Sequence, residues 1–245
     1  MDIQEYEKLI TDQLDEIVGN IISQNQKLNI AVKKGERVGD GISKFLENKF
    51  VEFSENHQYF TESIASPEGK TKNPFDVQTI FKINDHKELI WIDFKAVNID
   101  NEDTNPDSGT PDKVITLVLN GYFYLAYIIV YYKGLDNGLV FEKNDDIFVK
   151  SYFLKNVSPT MRITPANQMQ VNGFSETVYR TREEFLDFLL QKKIESNERK
   201  LKKATQELEN FKTGILKVKT AKQSEITIDL LKQLNKEQEE KIKKL

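Results

Sequence analysis

A run of nineteen residues without a charged side chain, Val114 to Tyr132 (VITLVLNGYFYLAYIIVYY), constrains the fold most strongly. The run is as long as a membrane-spanning helix, but Asn120-Gly121 interrupts it and its aromatic residues are spread rather than placed at its ends. Asn-Gly is a turn signal, and the residues after it are the β-branched and aromatic types that strands favour. The run therefore predicts a buried helix that turns into a buried strand, in preference to a membrane span.

The composition excludes several kinds of active site. The chain of 245 residues has no cysteine and two histidines, His57 and His86. Disulfides, thiolate zinc sites, cysteine nucleophiles and multi-histidine metal sites are therefore excluded. The start MDIQEYEKLI lacks the basic-then-apolar pattern of a secretory leader. We expect a cytoplasmic protein, not bound to a membrane and without a small organic cofactor.

The charge distribution divides the chain into two parts. Residues 191–245 carry 15 Lys or Arg against 9 Asp or Glu, a net charge of +6, whereas the remainder carries 20 against 30, a net charge of −10. We therefore expect a domain over residues 1–190, with helices at its N-terminus, and a basic helical extension over residues 191–245. An acidic body is suited to a metal-binding cleft rather than to gripping DNA by bulk charge.

Apolar spacing predicts helices at both ends of the chain. The first 30 residues carry an i, i+3/i+4 stripe, and a second helix is predicted within GERVGDGISKFLENKF, residues 35–50. Residues 50–53 and 57–64 are predicted to form a hairpin or two short strands. Thr181 and Glu184 form a capping box ahead of a long C-terminal helix.

A seven-residue repeat runs along that C-terminal helix. It predicts a short coiled-coil seam or a helix that lies along a partner. The a positions are Ile194, Leu201, Leu208 and Ile215, and the d positions are Asn197, Ala204, Phe211 and Val218.

Two predicted strands, Phe75–Ile83 and Glu88–Lys95, carry the polar residues of greatest interest. Asp76 begins the first strand, whereas Asp93 and Lys95 lie at the end of the second. Residues two apart in a strand point to the same face, and pairing as a hairpin would bring Asp76 beside Asp93.

These residues suit metal-assisted hydrolysis of a phosphodiester. The two carboxylates and the carbonyl oxygen of Phe94 are hard oxygen ligands of the kind Mg²⁺ prefers. Lys95 would stand beside the metal and orient a water or help to deprotonate it. A solvated strand end with a salt bridge is the alternative explanation of Asp93 and Lys95.

The order of these features resembles the PD-(D/E)xK nuclease superfamily, whose core is helix, three strands, helix and strand. Within it, the chain is similar to the type II restriction endonucleases of the HincII group. The similar stretches span roughly residues 35–190 and are GERVGDGISKFLENKF, FD…WIDFKAVN, GTPDKVITLVLNGYFYLA and NQMQVNGFSETVYRTREEFLDFLL. The chain departs from the pattern where Phe75 separates Pro74 from Asp76.

The resemblance implies an α/β fold in which helices flank a mixed central sheet, with a helical N-terminus and a long helical C-terminal extension. It implies that Asp76 and Asp93 bind Mg²⁺, that Lys95 serves the attacking water, and that Glu36 supports the site. A carboxylate at a helix N-terminus is favourable in any case, which is the alternative explanation of Glu36.

The resemblance further implies a Mg²⁺-dependent, homodimeric enzyme that cuts a short palindromic site in double-stranded DNA and leaves 5′-phosphates. Polar side chains on two loops are candidates for reading the DNA. They are Asn98, Asn101, Asn105, Ser108, Lys113, Arg162, Asn167, Gln168, Gln170 and Asn172. The alternatives are a repair or nicking nuclease on the same fold, and a non-catalytic DNA-binding or coiled-coil protein.

Overall fold

The computed structural model describes residues 1–29, 38–67, 75–101, 104–135, 137–220 and 228–243. The helices in these ranges are α1 (Ile3–Gln24), α2 (Val38–Ser54), α3 (Pro111–Leu119), α4 (Arg182–Thr220) and α5 (Ile228–Ile242). The strands are β1 (Lys27–Leu28), β2 (Phe60–Ala65), β3 (Val77–Ile83), β4 (His86–Asn98), β5 (Leu125–Leu135), β6 (Gly138–Phe141), β7 (Val149–Phe153), β8 (Arg162–Ile163) and β9 (Met169–Gln170).

Strands β1 to β7 form one mixed sheet in the order β1-β6-β5-β4-β3-β2, and β7 also pairs with β5. The central pair, β4 and β5, is parallel, and α3 lies between these two strands in the sequence. The other pairs, including the β3–β4 hairpin, are antiparallel. The prediction of an α/β fold with a mixed central sheet flanked by helices is confirmed.

The sheet has a hydrophobic core on each face, because its central strands are apolar at successive positions. One core joins α1 and α2 to alternate residues of β4 such as Ile90 and Ile92. The other joins Val114 of α3 and the first turns of α4 to Trp91 and Val97. Asp93 and Lys95 occupy the same alternation as Trp91 and Val97, so the strand directs them towards the α3 side.

The uncharged run folds as predicted into a helix, a turn and a strand. Thr110 caps α3, Pro111 occupies its first turn, and Gly121 after it adopts a φ of 84° that suits glycine. The first seven residues of β5 are buried, since the strand lies between neighbours and under both cores. None of the described helices is long and apolar enough to cross a membrane.

Two local predictions from the sequence are wrong and one is confirmed. Residues 50–53 belong to α2 rather than to a strand, because Ile42, Leu46 and Phe50 follow at helical spacing and are fully buried. Strand β4 extends to Asn98, so Asp93 lies in the middle of the strand rather than at its end. The capping box is present: the Thr181 N–H donates to Glu184 Oε2 at 2.7 Å, and the Glu184 N–H donates to Thr181 Oγ1 at 3.2 Å.

The chain separates into two compact units, residues Met1–Ser196 and Asn197–Leu245. The first unit contains the whole sheet with α1 to α3 and the start of α4. The second contains the rest of α4 and α5.

Asp15 of α1 should make the stability of the first unit depend on pH. Its Oδ1 accepts a 2.7 Å hydrogen bond from the Ser151 N–H of β7, and burial raises the pKa of its carboxyl to about 6. A raised pKa means that the stabilising contribution is complete below the unfolded pKa near 4 and is lost as pH rises through 6. Asp15→Asn keeps the acceptor, so we expect it to be more stable than wild type by about 1–3 kcal/mol at pH 8 and nearly equal at pH 4.

Urea denaturation at the two pH values measures this difference. Glu16→Gln is the matched control, because Glu16 lies on the same helix, is exposed and is not among the groups that shift the pKa of Asp15. If the free energy of unfolding depends on pH equally in the wild type and in Asp15→Asn, burial of the ionised Asp15 carboxylate does not destabilise the folded state.

Candidate active site

The candidate site lies where β3 and β4 part. The last paired residues of this end are Val77 and Ile92, and the Asp76 N–H donates to the Ile92 carbonyl at 2.8 Å. Two residues further along β4, the Phe94 N–H donates to Asp76 Oδ2 at 2.7 Å. The Asp76 side chain therefore replaces the next rung of the ladder, and its carboxylate is fixed beside Asp93.

Lys95 and Asp93 form an ion pair on the face of β4 that is turned towards α3. Lys95 Nζ lies 2.8 Å from Asp93 Oδ1, and both side chains are mostly buried. Lys95 Nζ also lies 5.8 Å from the ring centroid of Tyr127, which follows on β5. The alternation of the strand, the ion pair and the ring hold the lysine amine next to the two carboxylates.

The two aspartates repel each other in a partly dry environment. Burial is the largest cause that raises the pKa of Asp76, to about 7, and the charge of Asp93 adds to it. The Phe94 N–H and the Lys95 charge act in the opposite direction. A buried carboxylate pair of this kind is relieved by a cation, so its electrostatics favour a positive ligand.

Asp76, Asp93 and Lys95 line two cavities of about 270 and 620 Å³. The smaller cavity is also lined by Trp91, the only tryptophan of the chain. Trp91 stacks on Tyr122 with ring centroids 4.3 Å apart, so its fluorescence is a natural reporter on this cavity. The larger cavity is bounded on its other side by α2 and by residues 104–107.

Helix α2 contributes a carboxylate that the sequence analysis did not single out. Glu36 lies outside the described residues, but Glu47 is buried, lines the larger cavity and adds to the negative charge around Asp76. Glu47 pairs with Lys44 at 3.0 Å, and Ser43 Oγ donates to the Phe94 carbonyl at 3.2 Å. The sequence does contain a pattern that could have identified Glu47: Ser43 and Glu47 are four residues apart, beside the apolar face of the same helix.

The oxygen atoms at this site suit a hard divalent cation, although they are few. Within the described residues, no group of three or more His, Cys, Asp or Glu side chains is arranged to hold a metal ion. Two carboxylates and the Phe94 carbonyl are all oxygen donors, and a carbonyl that accepts one hydrogen bond from Ser43 retains a second lone pair. Mg²⁺ characteristically binds through one or two carboxylates and keeps several waters, so the residues present fit it.

The structure joins the two loops that were predicted to face DNA. The Ser108 N–H donates to the Met169 carbonyl at 2.8 Å, and the Met169 N–H donates to the Gly109 carbonyl at 2.8 Å. Gln170 Nε2 donates to Asp107 Oδ1 at 2.6 Å. The loop after β4 and the β8–β9 hairpin thus form one surface, which we call the loop–hairpin edge (residues 104–113 and 162–172).

Some of the predicted DNA-reading residues lie at the cavities. Lys113 and Gln168 line the smaller cavity with the Asp–Lys cluster, and Asn105 lines the larger one. Ser108 also lines the smaller cavity, but it is 1% exposed and its carbonyl accepts from the Tyr127 hydroxyl at 2.9 Å. Its buried position indicates a role in packing the loop rather than in reading bases.

The remaining predicted readers line neither of these two cavities, and several make hydrogen bonds within the protein. Asn167 Nδ2 donates to Asp112 Oδ2 at 2.7 Å, and its Oδ1 accepts from Lys193 Nζ at 2.7 Å. Asn98 and Asn172 accept backbone N–H groups two residues further along the chain. Arg162 and Asn101 are exposed.

Gly173 ties the loop–hairpin edge to the sheet and leaves no room for a larger residue. Its N–H donates to the Thr104 carbonyl at 3.0 Å, and its carbonyl accepts from the Tyr131 hydroxyl at 3.2 Å. A Cβ at this position would lie 2.4 Å from Val97 Cγ2. We expect Gly173→Ala to lower the free energy of unfolding by about 1–3 kcal/mol through overpacking.

Chemical denaturation checks this expectation, with two further variants. Gly134→Ala is the control, because no atom lies within 4 Å of a Cβ there. Adding Val97→Ala to Gly173→Ala should return part of the lost stability, since it removes the clashing methyl groups. If Gly173→Ala is as stable as Gly134→Ala, the contact with Val97 is not limiting.

The mixed sheet gathers two aspartates and a lysine where two of its strands part, and such a set of side chains is suited to metal-assisted hydrolysis. The model of the SwaI-like family, described as SwaI restriction endonuclease, matches residues 2–211, and the chain belongs to this family. The protein is therefore a type II restriction endonuclease, which acts on double-stranded DNA. The solved structure of the NlaIV restriction endonuclease is similar to this chain, with a TM-score of 0.46 and 16% identity over 76% of this chain and 78% of that chain. Comparison with curated proteins finds no match.

Proposed function

We propose that the protein is a Mg²⁺-dependent homodimer of the PD-(D/E)xK superfamily, similar to the HincII group, that cuts a short palindromic duplex and leaves 5′-phosphates. One observation carries the proposal: Asp76, Asp93 and Lys95 converge where β3 and β4 part, with Asp76 bonded to the backbone of the residue between the other two. A palindrome presents two equivalent strands, so a twofold dimer supplies one such site for each.

The proposed metal ligands are Asp76, Asp93 and the Phe94 carbonyl. Mg²⁺ bound there would polarise the scissile phosphate and make a nearby water more acidic. Asp76 is held in place for this task by the Phe94 N–H, and Ser43 steadies the carbonyl of the same residue. Glu47 is proposed to add negative charge behind the site, in the supporting role that the sequence analysis gave to Glu36.

Lys95 is proposed to position the attacking water. Its ammonium is fixed by Asp93 at 2.8 Å and can donate to the water and to a phosphate oxygen at the same time. The water attacks phosphorus in line with the bond to the 3′ oxygen, and that bond breaks. The 3′ oxygen takes up a proton and the water releases one, so the products are a 3′-hydroxyl and a 5′-phosphate.

The loop–hairpin edge is proposed to lie against the duplex. Gln168, Lys113 and Asn105 are the foremost candidates for base or phosphate contacts, because they border the cavities of the Asp–Lys cluster. The pair of Gln170 with Asp107 and the contacts of Asn167 are proposed to hold the edge in shape.

Digestion of phage DNA tests the proposed function. The wild type with Mg²⁺ should give discrete fragments, and EDTA should stop the reaction. DNA ligase should rejoin the fragments, because it requires the 5′-phosphate ends that are proposed here. Asp93→Ala should give none, whereas Asp85→Ala, in the exposed turn between β3 and β4, should cut normally. Nicked circles alone would favour a nicking enzyme, and intact DNA with every divalent metal would refute the proposal.

A further inference from the structure

The second compact unit carries an exposed apolar seam along α4. The seam comprises residues 197–218, and its a and d positions in a seven-residue repeat are apolar except for Asn197. The exposed fractions of Leu201, Leu208, Phe211, Ile215 and Val218 lie between 42% and 76%. Contiguous apolar surface of this kind on a helix is normally covered, and a strict 3.5-residue period is the pattern that a second helix covers.

The charges that flank the seam distinguish between possible occupants. In a parallel, in-register pair of copies, Glu207 of each copy faces Lys212 of the other, and Lys200 faces the uncharged Thr205. In an antiparallel pair, Glu198 would face Lys212, but Glu207 would face its own counterpart and repel it. Two attractive pairs and no repulsive pair therefore favour the parallel arrangement.

Glu207 and Lys212 already have ion-pair partners within their own helix, and these partners could be replaced by residues of a second copy. Glu207 lies 3.8 Å from Lys203, and Lys212 lies 2.8 Å from Glu209, within the same helix. All four side chains are more than half exposed, and ion pairs of this kind contribute little to stability. They can re-pair across a seam without a large loss.

We propose that residues 197–218 form a parallel, in-register, two-stranded coiled coil with the same segment of a second copy of the chain. Asn197, at the first d position, would form a polar layer that specifies the register. This inference rests on the proposed homodimer for its occupant. The twofold axis of such a coil is also compatible with the two-fold symmetry of a palindromic duplex.

A single introduced cysteine tests the arrangement, because the chain has none of its own. In the parallel coil the two copies of Ala204→Cys, at a d position, face each other within disulfide reach. The full chain carrying Ala204→Cys should form a covalent dimer under mild oxidation at micromolar concentration. Gln206→Cys, on the opposite side of the helix, should not. Equal crosslinking of the two variants, or none in either, would overturn the proposal.

Sedimentation equilibrium gives an independent measure of the same seam. Leu208→Glu should weaken the dimer by about tenfold or more, because a charge replaces a buried leucine in each strand. Gln206→Glu makes a charge change on the outer face and should leave the dimer unaffected. A trimer mass would refute a two-stranded coil, and a monomer in every variant would indicate that α5 or no helix covers the seam.

Neither measurement requires DNA cleavage, so the coil and the proposed function fail separately. If the protein cuts DNA but does not crosslink through position 204, the proposed function stands and the coiled coil is refuted. If it crosslinks but leaves DNA intact, the coiled coil stands and the proposed function is refuted.

Discussion

Lys95→Ala should lower the rate of DNA cleavage by about 10³-fold, within the usual range for losing a positioned acid–base or electrostatic group, and should leave duplex binding nearly unchanged. The reason is geometric: Lys95 Nζ lies 2.8 Å from Asp93 on the face of β4 that opens into both cavities. The amine is therefore positioned for the reacting phosphate and its water, while most of the duplex would contact other surfaces. Single-turnover cleavage and a gel-shift assay with Ca²⁺ separate the two effects.

Lys87→Ala is the matched control for Lys95→Ala. Lys87 lies on the same strand, pairs with Lys82 across the hairpin, and is exposed away from the site. It should cut DNA at the wild-type rate. Equal rates for Lys95→Ala and Lys87→Ala would remove Lys95 from the proposed mechanism and leave its ion pair as a structural feature.

Asp76→Asn should abolish cleavage and yet stabilise the metal-free protein. An asparagine oxygen still accepts the Phe94 N–H, but the buried charge next to Asp93 disappears. Because a pKa raised to about 7 disfavours the folded wild type as pH rises, the variant should be more stable at pH 8 by on the order of 2 kcal/mol. Thermal unfolding at pH 8 in EDTA measures this difference.

Mg²⁺ should reverse the order of stability. A ligand that binds the folded state raises its stability, so Mg²⁺ should raise the Tm of the wild type and not that of Asp76→Asn. Asp85→Asn, in the exposed turn, should behave like the wild type in both conditions. A metal-free Asp76→Asn that melts below the wild type would show that the carboxylate is not repelled by its surroundings. Quenching or enhancement of Trp91 fluorescence on adding Mg²⁺ gives a second readout at the same cavity.

Local patterns were sufficient for the parts of the fold that follow from periodicity. The run from Val114 to Tyr132 specifies a helix, a turn and a strand because its polarity, its Asn-Gly pair and its β-branched residues agree with one another. The proximity of Asp76 to Asp93 was predicted for a similar reason. A short turn at Asn84-Asp85 leaves an antiparallel hairpin as the simplest pairing, and the register then places the two carboxylates together.

Features that depend on long-range contacts could not be derived in this way. Glu47 reaches the site because α2 packs against β4, and nothing in its own sequence neighbourhood specifies that neighbour. The pairing of residues 107–109 with 169–170 crosses more than fifty residues of chain, so neither segment reveals it alone. The burial of Ser108 follows from the same pairing, and a polar residue in a polar loop gives no sign of it.

By itself, the sequence determined most of the elements that form, because helix and strand periods and short turns are encoded within a few residues. It also singled out the side chains that are proposed to carry the chemistry. The tertiary structure alone decided that Asp76 takes over a rung of the β3–β4 ladder, that α2 supplies Glu47, and that two distant loops form one edge beside Lys95. These arrangements depend on how a seven-stranded sheet buries both of its faces. That packing is a property of the whole chain, since each contact is made possible by elements far away in sequence.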